Sequence, residues 1–533
     1  MRKVLVANRG EIALRVFRAA RELGLGTVAV VAPDDAGSLH ARSADETVEI
    51  ESYLSSDEHI RAAQQVDADA IHPGYGFLAE NGDFAAAVES AGLTWIGPPP
   101  TALRLGGDKL AAKRIAQEAG VPTIPEVDAP PLIVKAAAGG GGRGMRVVRD
   151  AAELEAAVEA AKREAKAAFG DDRVYLERYV ERPKHVEIQL LADAHGSVLA
   201  LGERDCSVQR RHQKVLEESP SPALDADLRA RMSDAAVRFA EAIGYVGAGT
   251  AEFVLDGRDF YFLELNGRIQ VEHAVTEAVT GIDLVQWQLR IARGEPLDLP
   301  RQGPLHGHAV EVRLYAEDPR SFLPQAGRVE TLRLPTSVRV DAGVAEGDDV
   351  GTAYDPMIAK LIASGATRDD ALDRLGAALA ETEVGGVTTN LPFLRWLVAH
   401  PALRAGDTTT AFLVEHPPLS PPPAALPPAV WRGAFRLNLP SPAPQPQPDV
   451  DAAAHEPRPG TESSSIVAPM PGTVIKVNVR EGSKVRAREP LVVLEAMKME
   501  TPLGAPYDAT VRTVHVKEGD RVAGGAPLVE LDE

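Results

Sequence analysis

The sequence predicts a large α/β and α+β body, then a flexible tether, then a small all-β barrel with two-fold pseudosymmetry. Three observations carry this prediction. Strand-like and helix-like patterns alternate up to about residue 416, residues 417–465 turn abruptly to Pro, Ala, Ser and Gln, and residues 466–533 repeat themselves at an offset of 37. A length of 533 residues leaves room for about three or four domains.

Composition narrows the function classes. Lys and Arg number 57 against 77 Asp and Glu, a net charge of −20, and so acidic a chain repels a phosphate backbone; nucleic acid is not an expected partner. A hydrophobic content of 44% with 25% charged residues suits buried cores. No stretch reaches the ~18 continuous apolar residues of a membrane-spanning helix, so no membrane is expected. The single Cys206 makes neither an intramolecular disulfide nor a multi-Cys zinc site, and it fits a reducing compartment, the cytoplasm. No signal-type apolar region develops before Asn8-Arg9-Gly10-Glu11.

The elements follow in order. Residues 3–7 form a short apolar run, Asn8-Arg9-Gly10 a turn, and Ile12, Val16, Ala19, Ala20 and Leu23 recur at helical spacing. Gly24 ends that helix and residues 27–31 read as a second strand, opening a doubly wound lobe over 1–110. The G-x-G-x-x-G pattern is absent here, so the unit is a fold signal only. A lid is expected over 111–190. In it, residues 132–135 and 145–148 read as strands around Gly139-Gly140-Gly141-Gly142-Arg143-Gly144, and a helix covers 154–168. Backbone N–H groups close over phosphate oxygens only where no Cβ intervenes, so the glycine run reads either as a phosphate-binding loop or as a flexible hairpin. No Gly-Lys-Ser/Thr follows, which excludes a Walker loop.

A catalytic lobe is expected over 191–416, after strands at 186–191 and 198–201. Residues 250–254 and 260–266 read as a hairpin turning at Asp256-Gly257, so Glu264 and Asn266 share a face that Glu252 joins from the partner strand. These oxygens suit Mg²⁺, and they suit a solvated sheet face equally well. Arg268-Ile269-Gln270-Val271-Glu272-His273 and Gln209-Arg210-Arg211-His212-Gln213-Lys214 offer groups for an anionic substrate, or an ordinary charged surface.

The tether of 49 residues over 417–465 reaches roughly 35 to 42 Å as a flexible coil and on the order of 150 Å as polyproline. Within it, 431–437 reads as a docked strand or an exposed patch. In the last segment Thr473, Val474, Val477, Gly482 and Val485 recur as Thr510, Val511, Val514, Gly519 and Val522, so two half-units are expected to close on one another. Between them lies Glu495-Ala496-Met497-Lys498-Met499-Glu500, whose lysine is held out from both halves.

His72-Pro73-Gly74-Tyr75-Gly76-Phe77, Lys135 with the glycine run, 206–214, 264–272 and Ala496-Met497-Lys498-Met499 together resemble the α subunit of a biotin-dependent acyl-CoA carboxylase. The resemblance covers an ATP-grasp biotin carboxylase of about 416 residues and a terminal biotinyl carrier domain over 466–533. It implies ATP-dependent carboxylation of carrier-borne biotin by bicarbonate through carboxyphosphate. Lys109 and Lys135 would hold ATP phosphates under a lid containing Gly140, Gly141 and Gly142, with Glu177, Val180, His185, Gln209 and His212 lining the nucleotide site. Glu252, Glu264 and Asn266 would ligate Mg²⁺ or Mn²⁺; Lys214, Arg268 and Gln270 would bind bicarbonate, with Glu272 as its general base. Arg313 would stabilise enolate-like charge on biotin, and Lys498 would be the biotin attachment point. The implied partners are a biotin protein ligase, a separate carboxyltransferase β subunit acting on an acetyl/propionyl-type acyl-CoA, and a further copy in a homo-oligomer.

Two departures from the family pattern carry expectations. Only 26 residues run from Lys109 to Lys135, with Pro122, Pro125, Pro130 and Pro131 where relatives insert a helix, so the lid hinge is abbreviated. Asn266-Gly267-Arg268 has glycine where the family has a larger residue, and Asn-Gly, a turn former, predicts a looser loop. Retained but slow ATP use is expected. Two competing readings are another ATP-grasp ligase joining a carboxylate to an amine, which the Met-Lys-Met carrier argues against, and a non-catalytic biotin carrier scaffold, which ATP turnover by the biotinylated chain would discriminate.

Overall fold

The computed structural model describes residues 1–137, 145–210, 213–300, 305–351 and 353–419, then 465–468, 472–486, 489–496, 499–522 and 526–532. The glycine run over 139–144, His212, the 431–437 island and Lys498 lie outside the described residues.

The N-terminal lobe is a parallel sheet ordered Glu46–Glu49, Gly26–Val31, Lys3–Val6, Ala70–His72, Thr94–Trp95. Its first strand explains why two layers of helix are needed. Val4 and Val6 pack with Ile12 and Val16 of helix Gly10–Glu22, whereas Leu5 packs on the other face with Phe84 and Val88 of helix Gly82–Ser90. The expected strand, turn, helix and strand stand where the periodicity placed them. Strand order reverses between Lys3–Val6 and Ala70–His72, so the loops at their C-terminal ends, Asn8 to Gly10 and Pro73 to Phe77, flank a crevice. Asn8 ties the two loops together, donating from Nδ2 to the carbonyls of Pro73 and Tyr75, each at 2.7 Å. Gly74 is required there: its φ is +63°, and a Cβ would lie 2.8 Å from Asn8 Nδ2.

Of the span 111–190, a smaller unit stands apart. Strands Arg146–Val148, Leu132–Ala136 and Val174–Arg178 form a three-stranded sheet covered by helix Leu154–Phe169, through Leu132, Val134, Val148 and Ala161. Helix Lys109–Glu118 instead packs Ala112 and Ala116 into the core of the catalytic lobe, and Lys184–Ala192 is a strand of that lobe's sheet.

The catalytic lobe is built on eight strands ordered Asp259–Asn266, Gly247–Asp256, Lys184–Ala192, Val198–Arg210, Gln213–Ser219, His308–Tyr315, Met357–Gly365 and Arg339–Ala342, all neighbours antiparallel. Alternation along Lys184–Ala192 fixes which face does what. Val186, Ile188 and Leu190 pack on helix Ala226–Ala242, leaving Glu187 and Gln189 on the opposite face.

The C-terminal domain closes two four-stranded sheets on one another. One is ordered Ser465–Val467, Pro527–Asp532, Ala509–Val514, Lys484–Val485, the other Met499–Gly504, Pro490–Ala496, Gly472–Val477, Arg521–Val522. The sequence repeat is a repeat of buried positions: Val474 and Val511, Leu491 and Leu528, Val492 and Val529, Leu494 and Leu531 all lie in one core. Hydrogen bonds reciprocate between the halves, Gly482 N–H donating to Val511 O at 2.8 Å and Gly519 N–H to Val474 O at 2.7 Å. Gly482 and Gly519 occupy the same left-handed turn, with φ of +82° and +92°.

Candidate active site

The site grows from the polar face of the catalytic sheet. Glu252 stands opposite Glu264 on one neighbouring strand and opposite Glu187 on the other, and Glu187 stands opposite Arg204 on the next. A cross-strand row of three carboxylates ending in a guanidinium results, and like charges placed so closely require cations.

Lys214 supplies the central one. Its ammonium donates to Glu187 Oε2 at 2.5 Å, Glu252 Oε1 at 2.7 Å and Glu272 Oε1 at 2.7 Å. Glu272 is held from its other side by Arg313, whose guanidinium lies 3.0 Å from Glu272 Oε2 and 2.5 Å from Glu217 Oε1. Burial opposes ionisation of Glu272, but Lys214, Arg313 and Arg204 outweigh it and hold the carboxyl well below the ordinary range. Burial has the upper hand at Glu217, beneath Arg313, whose carboxyl is pushed up to about 7 against the pull of that guanidinium. Arg204 is fully buried, pairing with Glu187 through Nε and donating to Gln189, Thr276, Thr250 and Gln270.

The loop after Asp259–Asn266 is tightly fixed. Gln270 and Asn266 both donate to Glu252 Oε1, at 3.0 and 2.9 Å, and Arg268 donates to Asn266 Oδ1 and Glu80 Oε2. The expected looseness at Gly267 is not found. Its N–H donates to Glu80 Oε1 at 3.0 Å, and Leu103 Cδ2 lies 2.7 Å from where a Cβ would stand, so leucine fills the place of the missing side chain.

Glu252 stands opposite Glu264 in the strand register and accepts from Asn266 Nδ2, which brings the three expected metal ligands to one part of the sheet face. His185, Glu187 and Glu252 also offer ligand atoms all within 4.8 Å of one another, but Glu187 is fully buried and already held by both Lys214 and Arg204. Glu264 has a looser counterion, Lys109 at 3.5 Å. The carboxylate-and-amide set on the Glu264 side therefore fits Mg²⁺, which takes few protein oxygens and completes its shell with phosphates and water. His185, 3.0 Å from Glu252 Oε2, is drawn upward in pKa by that carboxylate despite its burial.

The nucleotide-side residues form a second cluster. Lys135, on the lid strand Leu132–Ala136, donates to Glu177 Oε2 at 2.7 Å, and Lys113 donates to Glu177 Oε1 at 2.8 Å. Val180 and Gln209 are buried, and Gln209 stands opposite Lys214 in register. Gly140, Gly141, Gly142, His212 and Lys498 lie outside the described residues.

Sequence reading missed Lys113, Glu187, Arg204, Glu217 and Glu80. Lys113 was findable, since it falls four residues after Lys109 on one helix face. Glu187 was findable too, as the charged member of an apolar alternation. Glu80 gave no signal, because its partners at 267 and 268 are distant in sequence.

Comparison with known proteins places these features. Residues 1–103 match the biotin carboxylase N-terminal domain, 108–300 the carbamoyl-phosphate synthase L chain ATP-binding domain, 311–415 the biotin carboxylase C-terminal domain, and 464–531 the biotin-requiring enzyme domain. A biotin carboxylase of Halalkalibacterium halodurans is 47% identical over 441 residues, 78% of this chain and 98% of the relative. The methylcrotonoyl-CoA carboxylase subunit alpha of Dictyostelium discoideum is 48% identical over 442 residues, and the aligned part spans 63% of its length. Among solved structures, the biotin carboxylase domain dimer of Hydrogenobacter thermophilus 2-oxoglutarate carboxylase, in complex with MgADP, ADP and bicarbonate, superposes with a TM-score of 0.76 at 43% identity, covering 78% of this chain and 98% of that one.

Proposed function

The chain belongs to the biotin carboxylase family, with a biotin-requiring domain on the same chain, and catalyses ATP-dependent carboxylation of biotin; from that premise we propose which of its residues perform the steps. Biotin, ATP and Mg²⁺ are its cofactors and co-substrate. When bound, Mg²⁺ supplies charge neutralisation on ATP phosphates and biotin supplies a weakly nucleophilic ureido nitrogen.

Glu252, Glu264 and Asn266 hold the metal. Lys135 and Lys109, paired in the resting arrangement with Glu177 and Glu264, turn to the phosphates of ATP, where phosphoryl transfer depends on positioning and neutralisation. His185, Gln209, His212, Val180 and Glu177 line the nucleotide, and Gly140, Gly141 and Gly142 close over it and exclude water. Lys214, Arg268 and Gln270 seat bicarbonate.

The basicity of Glu272 follows from its company. While Lys214 and Arg313 both press on it, the Glu272 carboxylate is held in its ionised form and its basicity is lowered. An anion that takes up Lys214 removes part of that field, and Glu272 then accepts the bicarbonate proton as the oxygen attacks the γ-phosphorus, giving ADP and carboxyphosphate. Arg313, released from Glu272, faces the negative oxygen that develops on the carboxyl acceptor. The observation that carries this reading is the convergence of Lys214 and Arg313 on the two oxygens of Glu272.

We assign Lys498 as the attachment point, modified by a biotin protein ligase, and a separate carboxyltransferase β subunit as the next station, acting on an acetyl/propionyl-type acyl-CoA. We place the chain in the cytoplasm, as a homo-oligomer; none of the described helices is long and apolar enough to cross a membrane. Bicarbonate-dependent ADP release by the purified chain with free biotin tests the catalytic reading. Stimulation by biotin, abolished in Glu272→Gln, is expected; release unaffected by Glu272→Gln refutes the assignment of the base.

A further inference from the structure

Building on the carboxylation reading above, we propose that an aromatic hollow on the N-terminal lobe receives the methionines flanking Lys498 of this chain's own carrier domain. The hollow encloses about 420 Å³ and is walled by Asp34, Tyr53, Leu54, Phe77 and Tyr354. Asp34, Tyr53, Leu54 and Phe77 come from loops at the C-terminal ends of the parallel strands, beside the point where strand order reverses. That is where open α/β sheets receive ligands.

The walls are rigid before anything arrives. Tyr53 and Phe77 stack with centroids 5.1 Å apart, and Tyr354 meets Tyr53 edge-on at 5.5 Å. Both phenols are anchored, Tyr53 donating to Asp35 at 2.8 Å and Tyr354 to Asp34 at 2.7 Å, while the Arg9 guanidinium lies 4.5 Å from the Tyr354 ring centroid. Phe77 is held at φ +42°, a conformation that costs a non-glycine residue on the order of 1 to 2 kcal/mol, yet the residue remains 37% exposed. Leu54 is 65% exposed beside it. Strain spent on an apolar wall that the lobe does not bury marks a surface built for something else to cover.

Position and tether select the occupant. Tyr354 precedes Asp355, which lies in the field of Arg313 and Arg9, and Tyr75, two residues before Phe77, is close enough to feel Asp355 as well. Tyr354 also lies three residues before Met357, which stands opposite Tyr315, two residues from Arg313 on the same strand, so the hollow lies near Arg313, where the carboxyl acceptor must arrive. The carrier strands Pro490–Ala496 and Met499–Gly504 pair with Ala496 opposite Met499, and in the sequence Met497 and Lys498 fall between those two strands. Thioether contacts with aromatic rings contribute about 0.3 to 1.5 kcal/mol each, and a tether of this kind sets an effective concentration near the millimolar range, at which weak contacts suffice.

The test uses the full biotinylated chain and two reactions, transfer of radiolabelled bicarbonate carbon to the biotin on Lys498 in a single turnover, and ADP release stimulated by free biotin. Leu54→Glu and Met497→Gln are each expected to slow labelling of Lys498 by about tenfold, the loss of roughly 1.4 kcal/mol, with no further loss in the double variant and free-biotin ADP release within about twofold of the parent. Unchanged labelling overturns the proposal. So does an equal fall in both reactions, which would place Leu54 in the catalytic machinery, or a change in sedimentation of Leu54→Glu, which would assign the hollow to a second copy of the chain. A parent that releases no ADP with free biotin refutes the carboxylation reading instead.

Discussion

Lys113 offers a sharp test of how ATP is admitted. Glu177 is buried, and its two oxygens are taken by two lysines, Oε2 by Lys135 at 2.7 Å and Oε1 by Lys113 at 2.8 Å. When Lys135 turns to a phosphate, Glu177 keeps Lys113, so no buried carboxylate is stranded. In Lys113→Met the free enzyme still satisfies Glu177 through Lys135, and the cost appears only when ATP draws Lys135 away. Breaking a buried pair by removing one partner costs about 3 to 5 kcal/mol. Halving this for water that reaches an open nucleotide site leaves about 1.5 to 2.5 kcal/mol, or roughly 10- to 70-fold weaker ATP binding. The assay is equilibrium nucleotide binding with KM and kcat for bicarbonate-dependent ADP release; KM for ATP rises and kcat changes by less than about threefold. Glu177→Gln in the same chain removes the charge that would be stranded, so the double variant binds ATP more tightly than Lys113→Met alone. A double variant no better than Lys113→Met, or a Lys113→Met whose thermal stability falls while ATP binding is unchanged, refutes the reasoning.

Three further outcomes are expected. Gly74→Ala forces a side chain into the left-handed region against Asn8, and strain plus the disturbed Asn8 hydrogen bonds lower stability by about 2 to 4 kcal/mol; an unchanged thermal midpoint contradicts this. His72 is fully buried, accepts at Nδ1 from Gly74 N–H at 3.0 Å, and burial lowers its pKa to about 4 from 6.5. Its folded pKa is the lower one, so the stabilisation is complete above pH 6.5 and is lost as pH falls toward 4, by on the order of 2 kcal/mol at pH 5; His72→Gln narrows the pH 7 to pH 5 difference in denaturant midpoint, and an equal difference in both proteins would exclude His72 as a source. Lys498→Arg abolishes the avidin-blot signal of the expressed chain, and a retained signal moves the attachment point elsewhere.

The doubly wound start, the lid strands around the glycine run and the carrier repeat were legible because each rests on local periodicity. Ile12 to Leu23 and the pairs Val474/Val511 and Leu491/Leu528 needed only their own spacing. The oxygen-bearing hairpin was legible for the same reason, since alternation alone sets Glu264, Asn266 and Glu252 on one face. What local pattern could not reveal was company. Nothing around Lys214 announces that Glu187, Glu252 and Glu272 share its ammonium, because strand order brings in the first two and the cap of helix His273–Thr280 brings in the third. Gly267 teaches the converse: the dipeptide signals a turn, but Leu103 and Glu80, far away in the chain, hold the loop firm.

The carrier barrel's repeat has a mechanical consequence. The paired strands Pro490–Ala496 and Met499–Gly504 have as their counterpart in the other half the pair Pro527–Asp532 and Ser465–Val467, so the strand equivalent to Met499–Gly504 is the one the tether enters. The strands that flank residues 497 and 498 in the sequence therefore belong to one sheet, and Ser465–Val467, which the tether joins, belongs to the other. A pull along the leash bears on Ser465–Val467 and passes through the closed core before it reaches Pro490–Ala496 and Met499–Gly504. The barrel can be towed between stations without its cargo end being bent by the rope.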